Sequence, residues 1–199
     1  YYYNGGDTFT YFSFAQAMRE VFNADKSAFF KIAFDLKDNA FLAVYYLGED
    51  SAFFFNPSSN LTIWITVFFS YLFFNTYILI SFAFSIFCFY GCWKIFMLFC
   101  NIYPHLAKEF AIACLFLPSV CFWGTGILKD PICLGALGAL TYHIYKLFFE
   151  KTKVFKRILV IIFCFWLLKV IKVYIILSFM PAYSFWIIFR YKDTIKSQF

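Results

Sequence analysis

Four side chains in this 199-residue chain combine a residue type with a setting that could do chemistry: Asp7, Tyr11, Lys129 and Asp130. Asp7 follows the glycine pair Gly5 and Gly6, and Tyr11 stands one helical turn further on. A carboxylate placed this way at a membrane surface suits a general base that takes the proton of a hydroxyl as its oxygen attacks. The plainer reading of Asp7 is a helix N-cap, worth about 0.5–2 kcal/mol. Lys129 and Asp130 sit on a break, Phe116 to Pro131, where Pro118, Gly124, Gly126 and Pro131 interrupt a helical pattern. In hydrocarbon such a break strands backbone N–H and C=O groups, so it must be buried in protein or line a wet cavity. Exposed N–H groups beside a lysine suit an anion such as a lipid phosphate. The competing reading of the same two residues is an ion pair at a loop.

Other reactive residue types carry less. His105 stands alone in a short loop, and His143 lies among apolar residues beside Tyr142 and Tyr145, so each reads as structural. The seven cysteines lie between Cys88 and Cys164, in or beside apolar runs where a thiol acts as a small hydrophobe. No disulfide framework or zinc-ligand spacing appears. Neither a phosphate loop, a nucleophile elbow nor an HExxH motif is present, so no cofactor is expected; a divalent metal stays open.

The elements that would position these residues are helices in a bilayer. The chain is 63% hydrophobic and 14% charged, with mean hydropathy +0.74, which excludes an ordinary soluble domain. We expect an all-α fold, a polytopic transmembrane helix bundle preceded by interfacial amphipathic helices. Residues 1–58 form an extracytoplasmic interfacial region, and residues 59–199 a bundle of five or six membrane segments. Tyr11, Phe14, Ala15, Met18 and Phe22 fall on one face of a first helix. A second helix follows Asn23 or Asp25, and Asn39 to Leu47 is helix or extended. Leu61 to Cys100 is about twice as long as one ~20-residue span requires. It divides into a short segment, Leu61 to Phe74, a turn at Asn75-Thr76, and a full span from Tyr77 to about Met97. The competing reading is one long tilted helix; if the short segment crosses, the N-terminal region and the break lie on opposite sides, and if it is re-entrant or part of one long helix, they share one. Further spans are read at Glu109 to Trp123, Ile132 to Phe148 and Ile158 to Met180, with a turn at Pro181-Ala182-Tyr183. Gly135 and Gly138 have the small-residue spacing that lets another helix come close. Lys169 and Lys172 interrupt the last span and either snorkel or face the interior.

Charge divides the chain: residues 1–58 carry a net −3 and the remainder +9. The basic run Lys146 to Arg157 therefore reads as a cytoplasmic loop, which sets the Thr125 to Asp130 loop outside and makes the bilayer, not nucleic acid, the partner. The chain opens on Tyr1 and reads as a piece of something longer.

The order Gly6-Asp7, Tyr11, Ala15, then apolar hairpins, then Pro118-Ser119, Trp123-Gly124, Gly126 and Lys129-Asp130 resembles bacterial polytopic C-type glycosyltransferases of polysaccharide and cell-envelope biosynthesis. The resemblance extends through about residue 150. It implies a multi-pass protein of the bacterial inner membrane that moves a sugar from a polyprenyl-phosphate-linked donor to a hydroxyl acceptor. On that resemblance Asp7 is the catalytic carboxylate, Lys129 contacts the donor phosphate, and Tyr11 and Asp130 complete the substrate site. A first transmembrane helix and the later spans of that family are missing from the sequence. Two other classes compete: a polymerase, flippase or transporter component that relies on Lys169, Lys172 and His143, and a non-catalytic scaffold subunit.

Overall fold

The computed structural model describes residues 6–34, 40–47, 55–150 and 153–196. Gly5, Asn39 and Lys151, which entered the expectations above, lie outside these. The fold is all-α: the described residues are 91% helical, and no strand occurs among them. The helices are α1 (Gly6–Ala24), α2 (Lys26–Phe34), α3 (Ala40–Leu47), α4 (Pro57–Leu72), α5 (Tyr77–Ile102), α6 (Ala107–Leu115), α7 (Pro118–Trp123), α8 (Lys129–Phe149) and α9 (Val154–Lys196). Three of them, α5, α8 and α9, are long and apolar enough to cross a membrane. Large apolar side chains on their outer faces are exposed, Ile78, Phe155 and Leu177 among them. That arrangement suits a lipid surround and not water.

The local chemistry explains most boundaries. Asp25 Oδ1 accepts from the Ser27 and Ala28 N–H groups and so starts α2. Asn56 does the same for Ser58, with Pro57 in the first turn of α4. The chain turns at residues 73–76, where Phe74 and Asn75 take positive φ, close to the expected Asn75-Thr76 turn. The expected N-cap at Asp7 is corrected: α1 already includes Gly6, so Asp7 lies inside the first turn, and its charge faces the positive end of the helix dipole.

α5 and α8 form the centre. They run parallel and touch through glycine: a Cβ on Gly91 would stand 2.5 Å from the Gly135 Cα, and Gly138 meets the Gly91 backbone. Only residues without side chains allow that approach. The expected single span from Glu109 to Trp123 is instead two short helices, α6 and α7. The chain breaks at Phe116 and Leu117, before Pro118, whose ring disfavours a helical residue ahead of it. The pair still returns along α5, since Phe110 stacks on Phe99 and a Cβ on Gly124 would meet the Cys88 sulfur.

The span expected over Ile158 to Met180 is also corrected. Backbone dihedrals leave the helix at Lys172. Before that point α9 runs antiparallel to α8, from the Arg157–Glu150 pair to the Lys172–Asp130 pair. After it, the Tyr183 hydroxyl donates to the Thr141 carbonyl and Trp186 lies against Tyr145. At ~1.5 Å per residue, both 172→183 and 130→141 cover about 16 Å, so the chain has reversed and runs parallel to α8. The turn is therefore at Lys172, while Pro181 lies within the helix.

Candidate functional site

The break end of the bundle collects the charged residues singled out in the sequence. Thr8, in the first turn of α1, shares a 2.8 Å hydrogen bond with the Tyr77 hydroxyl and accepts one of 3.0 Å from the Ile127 N–H. These two bonds fasten the start of α1 to the start of α5 and to the break. Gly126, at φ +97, gives the break the conformation that presents this N–H. At the start of α4, Ser58 accepts a 2.8 Å hydrogen bond from Lys129 Nζ. At the end of α4 the 73–76 turn leads straight into Tyr77. Both ends of α4 thus lie at the break end of the bundle, as does the start of α1.

A row of small hydroxyl residues lets α1 settle on α4. Ser59, Thr62, Thr66 and Ser70 are all buried, and Thr62, Thr66 and Ser70 donate to carbonyls of their own helix, which leaves a smooth face. Tyr11, Phe14, Ala15 and Met18 bury against it, as their spacing predicts. Arg19 donates to the Ser70 carbonyl at 3.2 Å and lies over the Tyr71 ring.

Asp7 is exposed, and its charge acts on both the Tyr11 phenol and the Lys129 ammonium. Tyr11 is 1% exposed and hydrogen-bonded to the Ser59 side chain. Burial pushes its phenol up to about 12; the Ser59 bond opposes the rise, and the Asp7 and Asp130 carboxylates add to it. At neutral pH Tyr11 is therefore a protonated hydrogen-bonding group. Asp130 accepts from Lys172 Nζ at 2.5 Å, across 42 residues of sequence.

Asp7, Tyr11, Lys129 and Asp130 thus gather at one end, but they do not line one cavity. A cavity of about 410 Å³ is bounded by Ser119, Trp123, Asp130, Cys133, Leu137 and Ile175, and Asp130 is the one of the four in its wall. A second cavity of about 420 Å³ is almost wholly apolar, with Trp64, Phe68, Phe84, Ile132 and Leu167 in its wall. Sequence reasoning missed Thr8, Ser58 and Ser59 as partners and left Lys172 without one. A lysine inside an apolar run calls for a counter-ion, and that signal pointed to Asp130.

A third cavity, about 230 Å³, is lined by Cys88, Cys92, Cys114 and Cys121. Among the described residues no group of three or more His, Cys, Asp or Glu is arranged to hold a metal. No family model matches the chain, and neither does any curated protein or solved structure.

Proposed function

We propose that the chain is the membrane-embedded part of a glycosyltransferase that takes a sugar from a polyprenyl-phosphate-linked donor and passes it to a hydroxyl acceptor. The single observation that supports this most is the Thr8 link to Ile127, which brings Asp7 to the same end of the bundle as Lys129. Asp7 removes the acceptor proton as the hydroxyl oxygen bonds to the anomeric carbon. The bond from that carbon to the phosphate oxygen breaks, and the phosphate leaves with its electrons and a negative charge. Lys129 meets that charge, and Tyr11, buried against Ser59, holds the first turn of α1 and with it Asp7 in place. The apolar cavity takes the isoprenoid chain, since Ile132 in its wall lies one turn of α8 beyond Lys129.

In this reading the protein is a multi-pass protein of the bacterial inner membrane, with Thr125 to Asp130 outside and the basic run after Lys146 inside. Single cysteines at Asp7, Thr125 and Lys153 test that arrangement: an impermeant reagent should label the first two from outside and the third only after lysis. Sugar transfer by the full-length protein carrying Asp7→Asn tests the chemistry; activity at the parental level would sink it.

One observation favours a second reading. Asp130, the counter-ion of Lys172, stands in the wall of the 410 Å³ cavity, where a transport component would keep an ion pathway. Movement of lipid-linked substrate that survives Asp7→Asn and is lost in Asp130→Asn would select it.

A further inference from the structure

The opposite end of the bundle carries charge that the proposed reaction does not use. Three helices converge there: α5 brings Lys94, α8 brings Tyr142, His143 and Lys146, and α9 brings Arg157. Lys146 and Arg157 are 8% and 9% exposed, unusually low for cations. Both pair with one carboxylate, Glu150, which Lys146 meets closely and Arg157 reaches at 3.5 Å. Two ammonium groups lie over the Tyr142 ring, Lys94 Nζ at 4.8 Å and Lys146 Nζ at 5.6 Å from its centre. The ring faces stabilise these cations without neutralising them. Among the described side chains, Lys94, Lys146 and Arg157 outnumber Glu150 by two, and the flanking sequence adds Lys153 and Lys156.

His143 supplies a second, independent observation. Both of its ring nitrogens are buried and have no hydrogen-bond partner, and the charges of Lys94 and Arg157 both act on it. Imidazole nitrogens in the interior are ordinarily hydrogen-bonded, so an idle imidazole N–H beside converging cations suits a group whose partner is a bound anion. Around the cluster Trp93, Phe148 and Phe155 are exposed by 41%, 51% and 76%. Apolar groups at that position meet acyl chains, which favours a lipid as the source of the anion.

We propose that Lys94, His143, Lys146 and Arg157 form a binding site for a phosphate group, carried by an anionic phospholipid at the face of the membrane opposite the Asp7 end. The site is independent of the transferase reading. A phosphate diester brings the charge that Glu150 does not supply and an oxygen for His143, while its acyl chains run along the exposed aromatic side chains.

The test uses the purified chain in detergent, titrated with phosphatidylglycerol or phosphatidylcholine and read by native mass spectrometry. Wild type should retain phosphatidylglycerol in preference to phosphatidylcholine. Lys94→Gln and Arg157→Gln should each weaken that retention about fivefold, the effect of one cation near an anionic headgroup. Lys94→Arg should preserve it, and Lys26→Gln on α2, away from the cluster, should leave it unchanged. Excess inorganic phosphate that fails to displace the lipid identifies the headgroup as ligand; displacement keeps the site and assigns it to soluble phosphate. Equal retention of the two lipids, or phosphatidylglycerol retention unmoved by Lys94→Gln, overturns the proposal. Lys94 is half-buried and makes no ion pair among the described residues, so that variant stands even if Arg157→Gln does not fold.

Discussion

The two ends of the α5–α8–α9 bundle hold similar residue types in different proportions. At the break end, Asp7 and Asp130 stand with Lys129 and Lys172, and the charges cancel. At the other end, Lys146 and Arg157 share Glu150, and Lys94 stands over the Tyr142 ring. A balanced cluster can shuttle a proton or rearrange its pairs without an outside ion, whereas an unbalanced one is completed from outside. The difference teaches that unmatched charge, more than burial or cavity volume, separates a candidate reaction site from a candidate headgroup site.

Asp7→Asn is the strongest way to break the comparison. In the full-length protein it should lower sugar transfer by about 10²–10⁴-fold, the usual contribution of a general base, while thermal stability stays near wild type because Asp7 is exposed. Asp130→Asn comes next. It leaves Lys172 without its counter-ion and should destabilise the chain by about 2 kcal/mol, less than the 3–5 kcal/mol of a fully buried pair because 35% of the Asp130 side chain meets solvent. Adding Lys172→Gln should recover most of that loss in a thermal unfolding assay. Tyr11→Phe should cost about 1–2 kcal/mol by leaving the buried Ser59 hydroxyl without its partner.

The smallest effect is a pH dependence at the other end. The Lys146 hydrogen bond, with Arg157 adding, holds the Glu150 carboxyl below its ordinary 4.5. A depressed carboxylate contributes stability that is fully present above the unfolded value and lost as pH falls through the folded one. Thermal stability should therefore dip below about pH 4.5, and the dip should be shallower in Glu150→Gln. An identical dip in that variant would place the titrating group elsewhere.

Much of this was legible from local chemistry. Asp25 and Asn56 cap helices, Asn75 takes the positive φ of a turn, and the glycine spacing in α8 marks a close helix contact, all within a few residues of sequence. What the sequence hid depends on partners far along the chain. Lys172 turns the helix where it meets Asp130, 42 residues away, whereas Pro181 looked like the better breaker and is carried inside the helix. Pro118 was legible as a breaker, yet hydropathy alone carried one span across it to Trp123. The Thr8 link to Ile127 spans 119 residues, and nothing near either residue announces it.

The glycine seam between α5 and α8 has one more consequence. Two backbones in direct touch at Gly91, Gly135 and Gly138 cannot slide or roll without collision, so this pair works as a fixed mast. Any opening that admits a bulky lipid must come from the lighter rigging around it: α1 and α4 at one end, and the doubled-back half of α9.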